Sequence, residues 1–98
     1  VVTDGSEVFA IENGHKMMGR VTGTGCAAST AVGCFVGVAE GSERCLATAS
    51  ALAVYGRAGE LAADGSRGPG TFVPVLLDAL HNVPSSVKDH DLRILRKS

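Results

Sequence analysis

The chain has 98 residues, of which 13 are glycine, 45% are apolar, 4% are aromatic and none is Trp; nine basic side chains nearly balance ten acidic ones, for a formal net charge of −1. That balance excludes a polyanion binder working by bulk charge, because nucleic acid and acidic membranes require a basic surplus or stripe. The apolar share is too high and the net charge too low for a disordered segment, the glycines follow no G-X-Y period, and the length allows one domain at most.

Val1-Val2-Thr3 opens the chain inside a predicted strand and without an initiator Met. Such a start fits a cleaved precursor or a piece of something longer, and about 100 residues lies near the lower end of self-sufficiency for a domain. Asp4-Gly5 predicts a two-residue hairpin turn, with Val8 to Ile11 as the return strand and Asn13-Gly14 as the turn that ends it. His15 to Thr22 reads as a connection in which Met17 and Met18 are available for packing. From Gly23 the character changes. A Gly-rich turn opens onto Ala27 to Ala39, a stretch almost without charge, which predicts a helix buried on most sides. Gly33 and Gly37 lie four apart and would let another backbone approach closely. Ser42 predicts the N-cap of a second helix, Glu43 to about Asp64, with Leu46, Ala49, Leu52 or Ala53, Tyr55 or Gly56, Gly59 and Leu61 to Ala62 at helical spacing. Gly65 to Gly70 reads as a loop. Thr71 then caps a third helix that places Pro74 in its first turn, buries Phe72, Leu76, Leu77 and Leu80, runs to about Asn82 and stops at Pro84-Ser85-Ser86. Residues 84–98 form a mixed-charge tail without a structural assignment, its Lys88 to Lys97 part read as a solvated face. The small-residue helices need a sheet or another layer to cover them, and the short opening strands are too little. Part of the fold is expected to be missing.

The three cysteines, Cys26, Cys34 and Cys45, are odd in number and show no C-x-x-C spacing. That argues against a disulfide framework or a zinc knuckle and makes reduced thiols in a cytosolic protein the default expectation. The longest apolar run, Ala31 to Ala39, is nine residues, against the roughly 18–20 that a membrane span needs. No charged-then-apolar signal segment begins the chain. His15, His81 and His90 lack metal-ligand spacing, and each is read as a surface or hydrogen-bonded residue.

The most informative feature is Gly23-Thr24-Gly25-Cys26. Glycines ahead of a helix permit backbone conformations closed to other residues and leave room for a ligand against the main chain. The first N–H groups of a helix have no internal partner, and with the macrodipole they form an anion site. A phosphoryl group in transfer, its charge spread over three oxygens, suits such a site, and the Thr24 hydroxyl is a further candidate donor. Cys26 has two readings. It is either a small buried hydrophobe, like most free cysteines, or a thiol whose pKa the helix start lowers so that it takes a proton from, or orients, a substrate hydroxyl. Cys34 and Cys45 are read as buried apolar side chains. The string Gly23-x-Gly25-x-x-Ala28 also fits the dinucleotide-binding fingerprint, but Glu40 and Glu43 do not fall at the end of a second strand as that fold requires. No Lys follows to complete a P-loop.

Four segments together resemble the hydroxyethylthiazole kinase family: Val21-Thr22-Gly23-Thr24-Gly25-Cys26-Ala27 with its lead-in Glu12-Asn13-Gly14-His15 ahead of Met17-Met18, then Ala53 to Ala62, Gly68 to Phe72, and Leu77 to Leu80. The resemblance runs from about residue 1 to 83, in the family's order and spacing, and covers only its C-terminal part. It implies an α/β, ribokinase-like fold, of which this chain supplies a short β-hairpin followed by three helices, with residues 1–83 as the kinase portion and 84–98 as a tail. It implies ATP-dependent phosphorylation of the hydroxyl of 4-methyl-5-(2-hydroxyethyl)thiazole in thiamine salvage, with Mg2+, in a cytoplasmic homotrimer that binds neither nucleic acid nor membrane. Carried over residue by residue, Cys26 is catalytic, Gly23 contacts substrate, and Gly23, Thr24, Gly25 and Cys26 form the anion hole. Many relatives have Asp at the position of Cys26. The Mg2+ ligands and upstream ATP contacts have no counterpart here, so no metal residue is assigned. In fungal relatives the kinase is the second half of a bifunctional enzyme whose first half makes thiamine phosphate. The alternatives are a ribokinase-like kinase for another small alcohol, such as a hydroxymethylpyrimidine, and a non-catalytic fragment.

Overall fold

The structure is a computed structural model that describes residues 1–86 and 91–97. Strand β1 (Val2–Thr3) and strand β2 (Val8–Ile11) form the expected antiparallel hairpin, with Val2 opposite Phe9 and Thr3 opposite Val8. The connection is four residues, Asp4 to Glu7, rather than the two that Asp4-Gly5 predicts. The reason is local side-chain bonding. Asp4 Oδ1 accepts from the N–H groups of Ser6 and Glu7, each at 2.8 Å, and Thr3 Oγ1 donates to the Glu7 carbonyl at 2.7 Å. An Asx turn of this kind stabilises a wider loop.

Helix α1 (Thr24–Val38) and helix α2 (Arg44–Gly65) fall close to their predicted places, and helix α3 covers Pro69–Ser86. Helix α2 begins after a short 3-10 turn at Gly41–Glu43, and no side chain caps it. Ser42 is therefore not the cap. The Glu43 N–H bonds the Glu40 carbonyl at 2.9 Å instead. Helix α3 starts earlier than predicted, with Pro69 in its first position, where a missing N–H is harmless. Thr71 lies inside it and accepts the Arg67 N–H at 2.8 Å. The helix also runs past Pro84 to Ser86. A proline this close to the C-terminal end removes one helical bond without disrupting a following stretch.

A third strand, β3 (Ile94–Lys97), lies in the stretch for which the sequence predicts no element. It pairs antiparallel with β2, Ile11 opposite Ile94 and Val8 opposite Lys97, so β2 is central in the order β1-β2-β3. Leu95, Arg96 and Lys97 are exposed on it, as a solvated face requires, while residues 88–90, His90 among them, lie outside the described residues. Arg96 lies 6.0 Å from the centroid of the Phe9 ring and bonds Glu7 at 2.8 Å. Both contacts tie β3 to the hairpin.

Helix α2 is the centre of the molecule. Its first half, through Cys45 and Ala49, packs under the sheet against Val2 and Phe9. Its second half, through Tyr55, Ala58 and Ala62, packs against Phe72, Leu76 and Val83 of α3, with Met17, Met18 and Ala27 around them. Phe72 is fully buried and Leu76 nearly so, and burying such a side chain contributes roughly 1.5–3 kcal/mol. Three expectations change. Leu77 is 57% exposed, and Leu46 is 46% exposed, because α2 and α3 face each other along Phe72 and Leu76 and leave those flanks outside. Helix α1 has no buried residue, and Val38 is 88% exposed. It packs on the main core cluster through Ala27, Ala28 and Ala31, so it is covered on one side rather than on most. Cys34 is exposed for the same reason, whereas Cys45 is buried as expected.

Candidate functional site

The Gly-rich turn enters α1 as the sequence predicts. Gly23 is the N-cap and has φ of 90°, in the left-handed region. An L side chain there costs about 1–2 kcal/mol, so glycine makes the sharp entry possible. The Ala27 N–H bonds the Gly23 carbonyl at 3.0 Å, which is the first helical bond. The N–H groups of Thr24, Gly25 and Cys26 precede it and point out of the end of the helix, where the macrodipole favours negative charge. Gly25 and Cys26 are exposed. A Cβ built at Gly25 would meet nothing within 4 Å, so the approach to this backbone is open.

Thr24 acts differently from the sequence reading. Its hydroxyl donates to the Met18 carbonyl at 2.9 Å, so it offers an anion its N–H and not its hydroxyl. Its own carbonyl accepts the Tyr55 hydroxyl at 2.8 Å. Burial raises the pKa of Tyr55 above its ordinary value, which keeps that donor protonated. Beside the turn lies a small cleft of about 100 Å3, walled by Thr22, Gly23 and Thr24 on one side and by Tyr55, Val73 and Leu77 on the other. A larger apolar cavity of about 560 Å3 opens between α1, α2 and α3 and includes Cys34 and Phe35. Gly23, Thr24, Gly25 and Cys26 thus form one continuous surface, and Cys34 and Cys45 stand apart from it.

Sequence reasoning missed the support behind this surface. His15 Nδ1 accepts the Met17 N–H at 3.1 Å and caps a 3-10 helix, Lys16–Arg20, which leads toward the turn. Upstream, Asn13 and Gly14 are held by Glu60, whose Oε2 accepts from the Gly14 N–H at 2.8 Å and from Asn13 Nδ2 at 3.2 Å. Arg93 and Arg57 complete the carboxylate's coordination, at 2.5 Å and 3.1 Å. Burial pushes the Glu60 carboxyl up; the Gly14 N–H, the two guanidinium groups and the charge of Arg93 outweigh it and hold its pKa below the ordinary value. The available signal was Arg57 three residues before Glu60, at ion-pair spacing on an alanine-rich helix. Among the described residues no three His, Cys, Asp or Glu side chains come together as a metal site, and no helix is long and apolar enough to cross a membrane.

Comparison with known proteins adds a family to this geometry. The model of the hydroxyethylthiazole kinase family matches residues 1–86. The chain is 48% identical over 94 residues to the hydroxyethylthiazole kinase of Desulfosudis oleivorans, covering 96% of this chain and 34% of that protein. It is 53% identical over 79 residues to that of Rubrobacter xylanophilus, covering 81% of this chain and 29% of the relative. Among solved structures, the hydroxyethylthiazole kinase protein from Pyrococcus horikoshii OT3 superposes with a TM-score of 0.82 at 37% identity, over 98% of this chain and 37% of that one. The chain therefore spans about a third of the length of these relatives.

Proposed function

The chain belongs to the hydroxyethylthiazole kinase family, and from that premise we propose that it supplies the phosphate-binding turn and an acid–base residue of an ATP-dependent kinase acting on the hydroxyl of 4-methyl-5-(2-hydroxyethyl)thiazole. The observation that carries this reading is the left-handed Gly23 at the N-terminus of α1, which leaves three successive N–H groups ahead of the first helical bond. The relatives' shared name does not favour the hydroxymethylpyrimidine alternative.

In this reading the N–H groups of Thr24, Gly25 and Cys26 hold the oxygens of the phosphoryl group in transfer. They are preorganised donors and need no rearrangement as charge develops. The exposed Cys26 side chain orients the substrate hydroxyl or takes its proton. That oxygen forms a bond to the γ-phosphorus, and the bond from phosphorus to the β–γ bridging oxygen breaks, releasing ADP. Gly23 admits substrate close to the main chain.

The described residues do not gather a carboxylate set suited to Mg2+. We place its ligands, and the remaining ATP contacts, in the part of the family sequence that this chain does not span. The homotrimer and the cytoplasmic location belong to the same proposal.

The test is made in the full-length protein by following ATP-dependent phosphorylation of the thiazole alcohol. Cys26→Ala is expected to lower kcat by about 10²-fold or more, the usual contribution of a positioned acid or base. Unchanged turnover removes Cys26 from the mechanism. Activity retained by Cys26→Asp supports the base assignment.

A further inference from the structure

The segment Asn13–Met18 is laid along one face of α2. Tyr55, Gly56, Gly59 and Glu60 share that face, since residues three to four apart on a helix are neighbours. Each receives a different piece of the chain leading to Gly23. Glu60 takes the Gly14 N–H and the Asn13 amide. Gly56 admits the Asn13 backbone, where a Cβ would lie 2.6 Å from the carbonyl oxygen. Gly59 admits the Met18 thioether. Met18 in turn offers its carbonyl to the Thr24 hydroxyl at 2.9 Å, and Tyr55 donates to the Thr24 carbonyl at 2.8 Å. Between Gly14 and Met18 the chain is stiffened by its own bonds, the His15 ring and carbonyl accepting the N–H groups of Met17 and Met18. A continuous mechanical path therefore joins Glu60 to the turn.

We propose that Glu60 is a positioning residue for the phosphate-binding turn. It pins Asn13-Gly14 to α2 and, through Met18 and Thr24, sets where the N–H groups of Thr24, Gly25 and Cys26 point. This rests on the phosphoryl-binding reading of that turn. The chemistry calls for a carboxylate. One oxygen accepts the Gly14 N–H, the Asn13 amide and Arg93, and the other accepts Arg57. Only an ionised carboxylate has that many acceptor sites while balancing guanidinium charge. Its indirect effect is large because a displacement of about 1 Å at a reacting centre costs roughly 10²-fold in rate.

The experiment compares Glu60→Ala, Glu60→Gln and, as a control in the buried face of α3, Val83→Ala, all in the full-length protein. Thermal midpoints, kcat and KM measured well below those midpoints, and hydrogen exchange across residues 21–30 are read for each. Glu60→Ala is expected to lose roughly 10- to 100-fold in kcat with the KM for ATP within about threefold of wild type, as for lost alignment, and to exchange faster across 21–30. Glu60→Gln keeps an oxygen for the Gly14 N–H but loses the charge that Arg57 and Arg93 face, and is expected to fall between Glu60→Ala and wild type in both rate and exchange. Val83→Ala is expected to lower the midpoint alone. Wild-type kcat and wild-type exchange in Glu60→Ala overturn the positioning role. A wild-type protein without thiazole kinase activity removes the functional reading instead, and the exchange then decides by itself: unchanged exchange in Glu60→Ala overturns the proposal, and faster exchange upholds it.

Discussion

At Gly56 the space that a side chain would fill is already taken by the backbone of Asn13, whose carbonyl oxygen and carbon lie 2.6 and 2.7 Å from a built Cβ. Gly33 stands in a helix too, yet a Cβ there meets nothing within 4 Å. The sequence reading gave Gly33 and Gly37 the role of close approach, and within this chain Gly56 and Gly59 have it. Spacing reveals a smooth stripe but not what crosses it. Opposite stability effects are expected from the same substitution. Gly56→Ala must displace backbone and should cost about 1–3 kcal/mol, as overpacking does, whereas Gly33→Ala should stabilise by about 0.5–1 kcal/mol through helix propensity. Denaturant midpoints of the two variants check this, and equal shifts would contradict the packing at Gly56. Cys26 is exposed at the helix start, and Cys45 is buried beneath the sheet. Burial, with the negative charges of Asp4 and Glu7 nearby, pushes the Cys45 thiol up and keeps it unreactive.

Three elements distant in sequence meet at one carboxylate: the end of β2, the middle of α2 and the lead-in to β3. Glu60 bonds Gly14 and Arg93, while Asn13 bonds the Asp91 carbonyl at 2.9 Å and the Arg93 N–H at 2.6 Å. This clasp predicts an acid sensitivity with a definite sign. The folded pKa of Glu60 lies below its ordinary value of 4.5, so its contribution is complete above that value and is lost as pH falls through the folded pKa. Asp4 acts in the same direction, its carboxyl lowered chiefly by the Glu7 and Ser6 N–H groups. Stability measured by denaturant midpoint should therefore fall as pH drops below about 4.5. It should fall less steeply in Glu60→Gln; an identical pH slope in that variant would show that the clasp does not titrate. None of this was legible from local pattern. Asn13-Gly14 reads as a turn and Arg93 as part of a charged tail, and their partners lie 33 to 80 residues away in sequence.

At the scale of the molecule, one helix organises everything and one helix is left half covered. Helix α2 separates the sheet from α3, while α1 packs on the main core cluster through its alanines, is tied at Thr24 to Met18 and Tyr55, and faces outward with Cys34 and Val38. An uncharged helix exposed on one side, together with a 560 Å3 apolar cavity beside it, fits a chain that spans a third of its relatives' length. The 98 residues alone are expected to show no kinase activity. ATP-dependent phosphorylation of the thiazole alcohol by the purified chain would refute this.

The sequence by itself determined the hairpin, the three helices to within a few residues, the Gly23 entry to α1 and the family. These depend on local chemistry: β-branched runs, small-residue periodicity, and glycines where φ must be positive. Tertiary structure decided the rest. It decided that β3 completes the sheet, because a strand carrying Arg96 and Lys97 is recognisable only from its partner β2. It decided that Leu77 and Cys34 face out, because a period names a face but not its neighbour. It decided that Tyr55 bonds the Thr24 carbonyl and that Glu60 holds Asn13-Gly14, because a hydrogen bond between residues tens of positions apart has no local signature until the chain has folded.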